Sequence, residues 1–382
     1  MADFRFHVPA ECFIGQDAIF KIPLMLDTGM DRALLVADPG LKDVKSAERM
    51  VSVLEGRGIK IIMFDELGGA PSSAAVEAAA ALARGSRAPL VIGLGGIRTL
   101  HVAKAVAALA TSDRSVDDWM DGNPPVRQPL PLVLVPTSYR DPFIMSGGLV
   151  LGDARTGQAS FLQAQKGIES AIVLDISMLG APSAKAAAAS LLDGIMGAVE
   201  GFMSAKDNFL ADMALSEAIA LYVRALDVVI QRPEDPQAKA DAARAFFLSG
   251  LGLAASSPGL GSAVSFAVNA RWNVPKANLA AVLLPYLLES LLRSKLEKAA
   301  SIAPLFCDMD PHEEAATKAA LAIEALRTRL GVLKIPSRLK DFDLSLERLV
   351  ETAETARRFD FMNFLPRAMT VDDVFDFIKT VF

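Results

Sequence analysis

Two places in the sequence carry residue types suited to chemistry. The turn Gly93-Leu94-Gly95-Gly96-Ile97-Arg98 separates a β-branched run from a helical stretch. Glycines there let backbone N–H groups approach an anion at a helix N-terminus, where the dipole also favours negative charge. The plainer reading is an ordinary tight turn. Asp38, in Asp38-Pro39-Gly40, could accept hydrogen bonds from a ribose diol, as acidic residues do in dinucleotide sites; its plainer reading is a turn residue. Metal chemistry is starved of imidazole: the only histidines, His7, His101 and His312, share no ligand spacing. The two cysteines, Cys12 and Cys307, make no disulfide framework and fit a reducing cytoplasm.

The elements that must position these residues change character along the chain. Short β-branched runs alternate with helical stretches over the first 180 residues, the rhythm of a parallel α/β layer. Strands are expected at Ala33–Ala37, Ile59–Phe64, Leu90–Gly93, Leu130–Val135 and Ala171–Asp175, with a hairpin across 152–157. The helix after the glycine turn is expected to begin near Thr99. From Ala184 long segments of 3.6-residue period run to the end, with breaks expected at Pro233, Pro236, Pro258, Pro275, Pro285, Pro311 and Pro336. The reading is an α/β domain over 1–180 and an all-helical domain over 181–382, with a ligand site expected in a cleft between them.

Composition narrows the partners. The chain has 382 residues, 52% hydrophobic and 22% charged, with net charge −6, which argues against a nucleic-acid backbone as ligand. No run approaches the roughly 18 apolar residues of a membrane span, and Met1–Arg5 lacks the features of a signal peptide. A cytoplasmic protein without membrane attachment is expected.

Several segments resemble the iron-containing alcohol dehydrogenases: Phe6–Gly15, Leu34–Leu41, Gly93–Lys104, Val135-Pro136-Thr137-Ser138, Leu174-Asp175, Leu192–Phe202, Val282–Pro285 and Leu365–Thr370, in the family's order over nearly the whole length. The resemblance implies an N-terminal nucleotide-binding α/β domain and an all-α C-terminal domain, the fold also used by dehydroquinate synthase. It implies NAD or NADP as cofactor, a divalent metal and dimerisation through the N-terminal strands, here Phe4 to Phe13. Asp38 matches the position that binds the adenosine ribose and favours NAD. Gly95 and Gly96 match two glycines of the Gly-Gly-Gly-Ser pyrophosphate loop, whose third glycine is Ile97 here and whose serine is Arg98. A branched side chain at 97 is expected to crowd the backbone, while Arg98 offers a planar cationic fork to a phosphate. Thr137 and Ser138 match the start of the nicotinamide loop; the lysine that helps hold the nicotinamide ribose has no counterpart near Gln158-Ala159.

The metal positions depart further. Asp193 matches the family's aspartate, but the histidine four residues on is Gly197, the later pair falls on Ser262 and Lys276, and a histidine between those two is Phe266. A carboxylate and a hydroxyl make too weak a set for zinc or ferrous iron, so no metal is expected. Lys276 follows Pro275 and is expected to open a helix, where a cation opposes the dipole and so implies a nearby anion. On the family's frame that anion is Asp193, and the ammonium would replace the metal's charge, either as a structural ion pair or as the group that polarises a substrate carbonyl and donates a proton; the remaining alternative is that Lys276 is simply exposed. Arg98, His101 and Arg140 would make the site positive and suit an anionic small-molecule substrate; the plainer reading is ordinary surface charge. Glu200, seven residues after Asp193, reads as an interdomain ion pair, and Arg271-Trp272 as pocket lining or core. Two functions follow: a metal-independent NAD(P)-dependent oxidoreductase of a small alcohol or carbonyl compound, or a catalytically silent paralogue that binds a nucleotide, another anion or a partner subunit. A lyase on the same fold would need the metal.

Overall fold

The structure, a computed structural model, describes all residues except 1–3, 5, 9, 28, 43–45, 166, 167 and 180–182. They divide into two compact units, 8–180 and 181–382, with the described residues Phe4, Phe6 and His7 grouped with the second unit rather than with the sheet. The expected boundary at Gly180-Ala181-Pro182 lies outside the described residues.

The first unit is built on eight strands: β1 (Glu11–Gly15), β2 (Arg32–Ala37), β3 (Lys60–Phe64), β4 (Val91–Gly95), β5 (Leu132–Pro136), β6 (Gly148–Gly152), β7 (Ala159–Gln163) and β8 (Glu169–Asp175). Six pair in parallel in the order β1-β8-β5-β4-β2-β3, and β6 and β7 form an antiparallel hairpin. The central strands β4 and β5 are buried at every residue, as continuous apolar runs in a sheet covered on both faces require. The alanine-rich helix Ser73–Ser86 is capped by Ser72, whose hydroxyl accepts from Ala75 N–H. Helix Ile97–Leu109 begins two residues before Thr99 and is buried on almost all sides, including His101 and Lys104 at 0% exposure.

The second unit is helical. Ala184–Met203 is its central helix, contacting Phe209–Val229, Pro236–Ala255, Leu260–Trp272 and Lys276–Leu292. Gly194 lets one neighbour close in: a Cβ there would lie 2.6 Å from Tyr222 Cζ. Ala184–Met203 is long and apolar enough to cross a membrane, yet 83% of its most apolar window is buried inside the protein, the mark of a core helix. Two expected proline breaks differ. Pro236 starts a helix, where its missing N–H is harmless. Pro285 lies inside Lys276–Leu292; the helix gives up the bond to the carbonyl four residues back, and almost every side chain from Leu279 to Leu288 is buried in return.

Candidate functional site

Strand register brings the nucleotide candidates together. Ala37 lies opposite Leu94 and Gly95 opposite Pro136, so Asp38, Gly95-Gly96 and Thr137-Ser138 leave the sheet side by side at its carboxyl edge, where α/β sheets bind ligands. Asp38 N–H donates to the Leu94 carbonyl at 3.0 Å and Thr137 N–H to that of Gly95 at 2.9 Å. The turn is tight. A Cβ on Gly95 would meet Thr99 Oγ1 at 2.5 Å and Asp38 Cβ at 3.0 Å; one on Gly96 would meet Ser138 Oγ at 3.1 Å. Gly96 caps helix Ile97–Leu109 without a side chain, so the first-turn N–H groups have no side-chain cap. The hydroxyls of Thr99 and Ser138, turned into this cradle, are buried without a hydrogen-bond partner. Bare N–H groups, a Cβ-free surface and two orphaned hydroxyls fit a pyrophosphate. Ile97 is 4% exposed, so the side chain expected to crowd the turn is packed into the interior.

The expected positive rim is corrected at His101, which is buried, and at Arg98, which is paired. Arg98 Nη2 donates to Asp38 Oδ2 at 2.8 Å, and its Nη1 to the Gly68 carbonyl. Asp38 also plays the turn role, its Oδ1 accepting from Gly40 N–H at 3.0 Å. His101 faces the interior: Val150 N–H donates to its Nδ1 at 3.1 Å, and Nε2 lies 3.2 Å from Asp141 Oδ1. Lys104, one helical turn on, donates to the carbonyls of Phe143 at 2.5 Å, Ser146 at 2.7 Å and Gly148 at 3.3 Å. Burial pushes the Asp141 carboxyl up, but the His101 ring and the Lys104 ammonium more than offset it and hold it at about 2. This cluster fastens the segment 141–148 to the helix behind the glycine turn.

In the helical unit, Asp193 sits mid-helix on Ala184–Met203 and Lys276 is the first residue of Lys276–Leu292, after Pro275 as N-cap. The chain reverses between Leu260–Trp272 and Lys276–Leu292 through Asn273 at φ 58°, and Asn269 Nδ2 donates to the Val274 carbonyl at 2.9 Å, tying the reversal. Lys276 Nζ donates to Asp193 Oδ1 at 2.5 Å, the two side chains 5% and 0% exposed, and lies 4.6 Å from the Phe266 ring centroid. The anion that a cation at this helix start implied is therefore present.

Glu200 is the clearest correction. It stays within the helical unit and caps helix Leu260–Trp272 from outside: Gly259 N–H donates to Oε2 at 3.0 Å, while Gly261 and Ser262 N–H donate to Oε1 at 2.5 and 3.1 Å. Gly259, the N-cap, has no side chain to do so. Burial pushes the Glu200 carboxyl above its ordinary range, against the pull of those N–H groups and of Lys276. Glu200 also lines a cavity of about 400 Å³ with Leu287, Phe364, Leu365 and Arg367. Arg271 pairs with Glu351 at 2.8 Å, and Trp272 is half-buried.

Sequence reasoning missed Tyr222, fully buried, its phenol pushed up by burial and by the Asp193 charge; no local pattern points to it. Thr99 was visible as the polar residue in the first turn of the helix after the glycines. The donor set does not suit a metal: Asp193 is held by an ammonium, Ser262 Oγ is a buried hydroxyl without a partner, and no group of three or more His, Cys, Asp or Glu among the described residues could hold an ion. Packing does not force glycine at 197, where the nearest atom to an added Cβ is Leu253 Cδ1 at 3.8 Å.

Comparison with known proteins places these two units. The family described as Iron-containing alcohol dehydrogenase matches residues 9–175, and Fe-containing alcohol dehydrogenase family, C-terminal, matches 187–382. The 1,3-propanediol dehydrogenase of Klebsiella pneumoniae is 27% identical over 361 residues, covering 92% of each chain. The NAD-dependent methanol dehydrogenase of Bacillus methanolicus is 21% identical over 376 residues, covering 98% of this chain and 99% of its own. The crystal structure of a 1,3-propanediol oxidoreductase shares the fold at a TM-score of 0.91 and 24% identity, with full coverage of both chains. Strand order, glycine turn and helical unit thus have one common source: the chain belongs to the iron-containing alcohol dehydrogenase family.

Proposed function

We propose that the protein is a metal-independent, NAD(P)-dependent oxidoreductase that interconverts a small alcohol and its carbonyl compound. The observation that carries this reading is the Lys276–Asp193 pair, a buried ammonium on the carboxylate that matches the family's metal-binding aspartate. The named relatives act on small alcohols, and one is NAD-dependent. Gly95, Gly96, Thr99 and Ser138 would hold the pyrophosphate, with Thr137 supporting the loop and Asp38 facing the ribose. A bound nicotinamide supplies or accepts the hydride.

The chain's own part is proton and charge. Lys276 Nζ donates a hydrogen bond to the substrate oxygen and stabilises the negative charge that develops there as the carbonyl carbon accepts hydride. It then releases one proton to that oxygen, forming the alcohol, and regains one from the water that takes the product's place as it leaves; oxidation runs the same transfers backwards. Asp193 accepts from the ammonium and fixes its direction, and the Phe266 face lies against the charge.

The test is turnover of an aldehyde and ketone panel with NADH and NADPH, in EDTA and with added zinc or ferrous iron. Activity should persist in EDTA and fall at least a hundredfold in Lys276→Met, about 3 kcal/mol of transition-state stabilisation. Asp193→Asn with Lys276→Met, which removes both charges, serves as the folded control. Activity only with added metal, or an unchanged rate in Lys276→Met, overturns the reading. The silent-paralogue reading draws on the same pair, since each charge is already satisfied by the other; nucleotide binding without turnover on any substrate would favour it.

A further inference from the structure

In this chain the carboxylate of Asp38 is not bare. One oxygen accepts from Gly40 N–H and the other from Arg98 Nη2 at 2.8 Å. Asp38 and Arg98 are each 24% exposed at the side chain, so a ligand can reach both. Asp38 lines a cavity of about 720 Å³, with Ala37, Val51 and Met63 as apolar wall and Glu48, Glu55 and Asp65 as acidic wall, and Arg98 reaches it through its bond to Asp38. An adenosine seated there, with its pyrophosphate on the Gly95-Gly96 turn, brings its ribose to Asp38. A bare carboxylate at that point accepts a 2′-hydroxyl and repels a 2′-phosphate. A carboxylate neutralised by a guanidinium loses that repulsion, and the guanidinium's remaining N–H groups can take the phosphate oxygens.

We propose that Arg98 admits the 2′-phosphate, so that the protein accepts NADPH as well as NADH, and that this residue sets the balance between them. The inference rests on the dinucleotide reading above. The carboxylates of Glu48, Glu55 and Asp65 oppose a phosphate, but they are common to wild type and Arg98 variants and drop out of the comparison.

The experiment is titration of wild type, Arg98→Ser and Arg98→Lys with NADH and NADPH, followed by nicotinamide fluorescence. In wild type NADPH should bind within about threefold of NADH or tighter. Arg98→Ser should weaken NADPH at least tenfold, about 1.4 kcal/mol, and leave NADH within about threefold; Arg98→Lys, which keeps the charge, should fall between. A ratio of the two dissociation constants unchanged in Arg98→Ser overturns the role given to Arg98 and leaves dinucleotide binding standing. If wild type binds neither nucleotide, the dinucleotide reading falls, and this inference with it.

Discussion

Asp193 and Lys276 form an ion pair that water barely reaches, and the energetics of such a pair are asymmetric. Each charge gave up its hydration on burial, and only the partner repays it. Lys276→Met alone, leaving a buried carboxylate, should cost about 3–5 kcal/mol, whereas Asp193→Leu combined with Lys276→Met should lie within about 2 kcal/mol of wild type. Urea midpoints of the three proteins decide this; a single variant as stable as the double would show that the carboxylate finds water. Both residues could be singled out in the sequence because they fall on the positions that match the family's metal ligands, and Lys276 because a cation at a helix start implies a nearby anion. What could not be read is the Glu200 carboxylate, whose partners are backbone N–H groups 59 to 62 positions away. Nothing in a side-chain pattern marks a backbone donor left over by a glycine N-cap.

Helix Ile97–Leu109 does two jobs, presenting its N-terminus to the glycine turn and anchoring the segment 141–148 through His101 and Lys104. The Asp141 carboxyl sits at about 2 rather than 3.8, a difference worth about 2 kcal/mol. Because the folded value is depressed, that stability is present above the ordinary value and is lost as pH falls toward 2. The stability gap between wild type and Asp141→Asn should therefore shrink by about 1 kcal/mol between pH 6 and pH 3, read by denaturant unfolding; a constant gap would mean that Asp141 is not ionised in the folded protein. Most strands and the alternation into helices were legible, since apolar runs bounded by Gly and Pro are local signals. The helix start at Ile97, the continuation through Pro285 and the inward turn of His101 were not, because tertiary burial decides them. Lys104 was the available clue: a lysine within an alanine and valine run is either a surface residue or a buried cation with several acceptors.

Over the whole molecule, the sheet ends on β1 at one edge and β3 at the other. Near β1 the chain exposes Ile14 at 41%, Phe20 at 54% and Leu24 at 63%, a patch that a second copy would cover. This patch lies beyond the segment Phe4 to Phe13 that the resemblance implied for dimerisation, and Phe4 packs edge-on against Phe209 in the helical unit at 5.6 Å. A dimer is expected by light scattering, and Phe20→Lys with Leu24→Glu should give a monomer; a monomeric wild type would remove the patch as an interface. The positive charge beside Asp193 is bonded into the chain at Lys276, so dilution cannot strip it, a chelator cannot extract it, and no competing ion can take its place. It also has no lower oxidation state for peroxide to attack. On the proposed reading, an enzyme that depends on ferrous iron would lose its active centre as supply ran short or oxidants rose, whereas a lysine ammonium is delivered by translation in every copy, in full.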